Sequence, residues 1–175
     1  MENRGRRVLA QGQHVRLVVE DGWEFVERNA ATGIVAIVAV TPEDRLLLVE
    51  QFRPPVGHRV VELPAGLAGD VADHEGEALA AAARRELLEE TGYEAVEMTP
   101  LAEGPPSAGI SSEVVTFFRA GGLRRTGAGG GDGTETIALH EVDLSRIDEW
   151  LRERSREDVL VDPKVHAGLR LAGLP

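Results

Sequence analysis

Arg85-Glu86-Leu87-Leu88-Glu89-Glu90-Thr91-Gly92-Tyr93 places three carboxylates within a few residues of one expected helix, followed by a glycine stop. At about 100° per residue, Glu90 lies ~40° from Glu86 on one side and Glu89 ~60° on the other, so all three fit one ~100° sector. Like charges at i, i+3 and i+4 repel, so the cluster needs a reason. A solvated acidic face is one reading. The other is a set of oxygen ligands for a hard divalent cation such as Mg²⁺, which commonly combines a few carboxylates with waters and substrate phosphates. The triplet alone leaves both open.

Working outward, the spacing predicts a helix from about Glu75 to Thr91, Ala-rich and closed by Gly92 at its C-cap. Leu79 and Ala83 continue the stripe that carries Glu86 and Glu90, while Ala81 and Leu88 lie nearly opposite. Apolar positions on both sides predict a helix packed between layers. Upstream, Arg59–Leu63 reads as a short strand, and Arg45–Arg53 as a longer one stopped by Pro54-Pro55. Gly33–Val40 is a continuous β-branched run, the sign of a strand buried on both faces. Residues 8–28 alternate as a β-hairpin turning at Asp21-Gly22. Downstream, strands are expected at Val96–Leu101, Val114–Ala120 and Thr136–Val142, with a loop over Ala102–Ser112. Gly121–Gly133 reads as a flexible, mobile loop. Helices are expected near 145–154, opened by Asp143-Leu144-Ser145, and over Pro163–Ala172. Strands flanked by a few helices give an α/β class with a mixed sheet in an α/β/α sandwich.

The 175 residues suit a single core of ordinary size, with 42% hydrophobic and 28% charged residues. A net charge of -11 argues against a nucleic-acid-binding surface, which needs Lys and Arg to neutralise phosphates. It does not exclude a small phosphorylated substrate held through a cation. Zero cysteines remove disulfides, thiol catalysis and thiolate zinc sites. Met1-Glu2-Asn3-Arg4-Gly5-Arg6-Arg7 is not followed by the ~7–15 apolar residues of a signal peptide, and no run approaches the ~18 of a membrane span. A cytoplasmic location without membrane partners is expected.

The stretch Arg85–Tyr93 resembles the C-terminal half of the Nudix box, G-x5-E-x7-R-E-U-x-E-E-x-G-U, where U is aliphatic or apolar. Glu77 stands with seven residues between it and Arg85, as that pattern asks. The box glycine departs from it, because Val71 occupies its place and Gly66 or Gly69 must substitute. Val49–Pro55, Glu62–Gly66 and Trp23–Arg28 look like the ADP-ribose pyrophosphatase branch of Nudix hydrolases, so the resemblance spans residues 23 to 93. It implies a Nudix-type sandwich over 31–175, preceded by an N-terminal β-hairpin region over 1–30 that forms a homodimer. It also implies Mg²⁺, with Mn²⁺ as a substitute, and hydrolysis of a nucleoside diphosphate linked to a second moiety. ADP-ribose, cleaved to AMP and ribose 5-phosphate, is the leading substrate; NADH, a sugar nucleotide or a dinucleoside polyphosphate are rivals. A non-catalytic nucleotide sensor is the alternative from another class, though it predicts degraded box carboxylates.

By the same resemblance, Glu86, Glu89 and Glu90 hold metal, with the Ala65 carbonyl as a further ligand and Glu89 doubling as a catalytic residue. Arg53 lies at the diphosphate, in a substrate-binding stretch with Glu62; the alternative is a structural Arg53–Glu62 ion pair. Trp23 stacks on the base, packs at an interface between subunits, or does both, and Glu24 accepts from the base. Glu113 closes Ser107–Glu113, which resembles a Ser-Pro-Gly loop with Ala108 in place of proline, and contacts ribose or assists catalysis. Glu135, or its neighbour Asp132, completes the metal site or activates water. Glu77 is not a principal ligand, because nine residues on a straight helix carry it ~180° around from Glu86.

Overall fold

The structure is a computed structural model that describes residues 5–69, 78–131 and 136–175. Three antiparallel strands come first: β1 (Arg7–Gln11), β2 (Val15–Glu20) and β3 (Trp23–Arg28), with β2 and β3 turning at Asp21-Gly22. They form a sheet of their own. The chain then lays down β4 (Gly33–Ala39), β5 (Arg45–Arg53), β6 (His58–Glu62) and β7 (Ala65–Ala68), followed by α1 (Leu79–Thr91). Next come β8 (Tyr93–Glu94), β9 (Glu97–Gly104), β10 (Val115–Gly121), β11 (Arg124–Arg125) and β12 (Ala138–Asp143). A 3-10 turn at Leu144–Arg146 leads into α2 (Ile147–Arg156), then β13 (Leu160–Val161) and α3 (Pro163–Leu171).

Two mixed four-stranded sheets carry the fold, in the orders β7-β4-β10-β9 and β12-β5-β6-β13. The β4–β10 and β6–β13 pairs are parallel and the others antiparallel. A Val40–Leu46 bridge and the Ile37 N–H bonded to the Pro64 carbonyl join the two sheets. Alternation along β4 divides the core. Ala36 and Val38 pack with Leu46, Leu48 and Phe117 against Ile147, Leu151, Val165 and Leu169 of α2 and α3. Val35, Ile37 and Ala39 pack with Leu47 and Phe118 against Ala82, Ala83 and Leu87 of α1. Helices therefore cover both faces, and the α/β/α sandwich expected from the strand pattern is the observed architecture.

Three expectations need correction. The helix begins at Leu79, not near Glu75, because Ala78 is extended (φ -67°, ψ 140°). Glu77 and Val71 lie outside the described residues. Helix α1 is covered on one side of this chain only: Ala81 and Leu88 are exposed, while Ala83, Leu87 and Glu90 are buried. The acidic side is the inward one, which the polarity pattern conceals. Finally, the glycine-rich segment is hydrogen-bonded to α1 as far as Gly131 rather than running as a free loop.

Candidate functional site

The site is built where β7 crosses the inner face of α1. Glu90, 5% exposed, accepts a 3.0 Å hydrogen bond at Oε2 from the Ala65 N–H. Burying a carboxylate carries a large desolvation penalty unless it is bonded, and this backbone donor fixes its direction. Glu86 packs directly on Gly66, the residue after Ala65. A Cβ at Gly66 would overlap the Glu86 carboxyl group, so only glycine admits the carboxylate there. Gly66 thus provides a close approach beside the helix.

Glu86 and Glu89 meet on one guanidinium nitrogen. Arg85 Nη1 donates to Glu86 Oε1 at 2.8 Å and to Glu89 Oε2 at 3.1 Å, while its Nη2 donates to the Leu67 carbonyl at 2.9 Å. Among the described residues no three His, Asp or Glu side chains are gathered closely enough to enclose a metal ion. The donor chemistry nonetheless fits a hard cation. Glu86, Glu89 and Glu90 carry carboxylate oxygens in one helix sector, the backbone of Ala65 lies beside Glu90, and two of the three already share a positive charge.

Two further ion pairs hold residues the sequence singled out. Arg53 Nε donates to Glu62 Oε2 at 2.8 Å between β5 and β6, so the structural pairing considered for these two residues is present. Arg28, at the end of β3, donates to Glu113 at 2.7 Å. The loop carrying Glu113 is held to β3 by Val26 N–H to Ile110 O and Ser112 N–H to Val26 O. A cavity of about 360 Å³ opens beside this pair, lined by Arg16, Glu27, Arg28, Thr32, Gly33 and Glu113 among others. Within it the Glu27 carboxyl is held below its usual range, chiefly by a hydrogen bond from Arg6.

The family model of the NUDIX domain matches residues 31–159. The chain belongs to the NUDIX domain family. Relatives include an ADP-sugar pyrophosphatase of Mus musculus, 37% identical over 167 residues, covering 85% of this chain and 73% of that protein. A methanol dehydrogenase activator of Bacillus methanolicus is 36% identical over 123 residues, 70% of this chain and 64% of that one. An ADP-ribose pyrophosphatase of Bacillus subtilis strain 168 is 41% identical over 88 residues, covering 50% and 45%. The chain thus spans less than two thirds of the length of the last two. A solved structure entitled "Crystal structure of ADP compounds hydrolase" superposes with a TM-score of 0.71, covering 97% of this chain and 90% of that one, at 19% identity. At that identity the likeness is one of fold.

The Nudix helix therefore carries the residues the sequence singled out, and β7 brings Ala65 to them. Trp23 and Glu24 sit apart, exposed at the turn end of the β2–β3 hairpin, with Trp23 67% exposed. Glu135 and Asp132 fall outside the described residues. Sequence reasoning assigned no role to Arg28, although it closes the Trp23–Arg28 stretch. It also missed Tyr93 and Glu141, which are joined by a 3.0 Å hydrogen bond from the Tyr93 hydroxyl. Their separation along the chain leaves no local signal.

Proposed function

We propose that this Nudix protein hydrolyses the diphosphate bond of a nucleoside diphosphate linked to a second moiety, ADP-ribose being the preferred substrate and AMP and ribose 5-phosphate the products. The convergence of Glu86 and Glu89 on the Arg85 guanidinium, beside Glu90 and the Gly66 cradle, carries the reading. Glu86, Glu89, Glu90 and the Ala65 carbonyl would hold Mg²⁺, or Mn²⁺ in its place. When bound, the cation supplies neutralisation of diphosphate charge and a water of lowered pKa. The residues of the chain do the rest. Arg53 presents a planar fork suited to bidentate phosphate contact, and Glu62 orients it. Glu113, already set against Arg28, binds sugar hydroxyls. Glu135, with Asp132, Glu89 and Glu113 as alternatives, accepts the proton from the attacking water.

Residues 1–30 act as a dimer-forming region ahead of the catalytic unit of residues 31–175. Exposed Val8, Leu9, Val15 and Trp23 on the N-terminal sheet support a homodimer in which Trp23 and Glu24 reach a neighbouring subunit's substrate base. A cytoplasmic setting with no nucleic-acid partner suits the acidic chain. Among the described residues no helix is long and apolar enough to cross a membrane.

Sugar nucleotides other than ADP-ribose are the second reading, favoured by the long match to an ADP-sugar pyrophosphatase. A panel of ADP-ribose, other ADP-sugars, GDP-mannose, NADH and a diadenosine polyphosphate, assayed with Mg²⁺ for nucleotide release, separates them. AMP from ADP-ribose is expected to dominate. No turnover on any of these, with tight calorimetric binding instead, would sink the hydrolase reading in favour of a sensor.

A further inference from the structure

The last carbonyls of an α-helix lack partners within the helix. At the end of α1 these groups belong to the residues that carry the site. Leu88 O is taken by Gly92 N–H, but Glu89 O and Glu90 O are taken from far along the chain, by Gly131 N–H at 3.0 Å and Gly130 N–H at 2.9 Å. Thr126 and Gly127 donate to Gly92 O at 2.8 and 3.0 Å. Contact this close needs glycine: a Cβ on Gly129, where φ is +71°, would lie 2.7 Å from Glu90 O. The turn bearing Glu89 and Glu90 is therefore held from outside by the glycine-rich segment.

That segment is fastened at its neck. β11 pairs with β8, setting Arg125 opposite Tyr93. Arg125 Nη1 donates to Glu141 Oε1 at 3.1 Å, and the Tyr93 hydroxyl donates to the same oxygen at 3.0 Å. The Arg125 guanidinium lies 5.8 Å from the Tyr93 ring centroid, and Arg45 Nη1 stands 3.8 Å from Glu141 Oε2. Arg125 precedes the glycines and Glu141 follows them on β12, so one carboxylate joins entry, exit and the residue after the helix cap. Burial first, and then the bond to Glu141, push the Tyr93 hydroxyl above its ordinary pKa and keep it a donor.

We propose that Glu141 is a positioning residue for Glu89 and Glu90: with Tyr93 and Arg125 it clasps the glycine-rich segment so that Gly130 and Gly131 stay bonded to the last turn of α1. Glu141 acts through backbone and touches no substrate. The proposal rests on the hydrolase reading for its kinetic consequence but not for its structural one. In Glu141→Ala, amide exchange at Gly130 and Gly131 should quicken about tenfold as the segment opens locally. Mn²⁺ affinity, followed by electron paramagnetic resonance, should weaken by about tenfold, the loss typical of supporting residues around metal ligands. With a substrate from the panel, kcat should fall while KM stays within about twofold, the mark of a disturbed metal site rather than a lost substrate contact. Glu141→Gln, which keeps an acceptor for Tyr93, should rescue part of each effect. Tyr93→Phe gives the same test, in smaller measure, should Glu141→Ala fail to fold. Unchanged exchange at Gly130 and Gly131 overturns the clasp, and faster exchange with unaltered Mn²⁺ affinity overturns its positioning role. A wild-type protein that binds Mn²⁺ and responds as described, yet turns over no nucleoside diphosphate compound, refutes the hydrolase reading alone.

Discussion

Glu50 and Glu90 are each 5% exposed, yet their surroundings are built to opposite ends. Glu50, on β5, is ringed by two guanidinium groups and an imidazole: Arg59 at 2.5 Å, Arg154 of α2 at 3.4 Å and His140 at 2.9 Å. Trp150 packs against the His140 ring at 5.0 Å and beneath the Arg154 guanidinium at 5.6 Å, closing the cluster. Such a carboxylate is fully answered by its own protein and ties α2 to the sheet. Glu90 instead accepts from a backbone N–H and shares its helix sector with Glu86 and Glu89, which meet on Arg85. Carboxylates brought together on one helix face suit an incoming cation; a carboxylate surrounded by arginines does not. Burial alone separates neither role; the two carboxylates that share the helix sector of Glu90 mark the difference.

The largest expected effect tests that contrast at Glu90. Glu90→Gln keeps an acceptor for the Ala65 N–H, so the fold should survive and the melting temperature should move little. The rate of diphosphate hydrolysis should nevertheless drop at least ~100-fold, about 2.7 kcal/mol in the barrier. Near-normal activity at saturating Mg²⁺ would remove Glu90 from the ligand set and dissolve the distinction from Glu50.

How much of this the sequence carried depends on whether the interaction was local. Arg85–Gly92 was readable because helical periodicity and the C-cap signal lie within a few residues. Gly33–Ala39 read correctly as a strand buried on both faces, as its division between two cores shows. The inward side of α1 was harder, since Glu86 and Glu90 stand where apolar residues would mark the core, while Leu88 is exposed. Gly66 was one of two substitutes for the box glycine, and only packing against the Glu86 carboxyl singles it out. The bonding of the glycine-rich segment up to Gly131 was not legible because its partners, the Glu89 and Glu90 carbonyls, are distant in sequence. Glu50 gave no sign at all. It follows Leu46-Leu47-Leu48-Val49, and three separate elements supply its partners.

The opposite substitution should have the opposite profile. Glu50→Gln leaves Arg59 and Arg154 facing a neutral amide. Breaking a buried pair costs ~3–5 kcal/mol, but Arg59 is 44% exposed and screened by water, so about 2 kcal/mol is the expected loss. Chemical denaturation should register it, while kcat should stay within about twofold. A large loss of activity at unchanged stability would make Glu50 part of the site and break the comparison from the other side.

Acid titration gives the smallest effect and the sharpest sign. Burial raises the Glu50 carboxyl, but hydrogen bonds from Arg59 and His140 outweigh it and hold the pKa below the ordinary value. The folded state therefore binds the proton less readily than the unfolded chain, whose glutamates titrate near ~4.3. The stability contributed by Glu50 is fully present above that pH and is lost as pH falls through the lower folded value. One group contributes a slope of at most ~1.4 kcal/mol per pH unit in that window. Denaturation measured from neutral pH downward should show the wild type losing its advantage over Glu50→Gln only below about pH 4.3. Parallel curves across the whole range would mean that its ring of partners leaves Glu50 no easier to ionise folded than unfolded, and that its role is packing rather than charge.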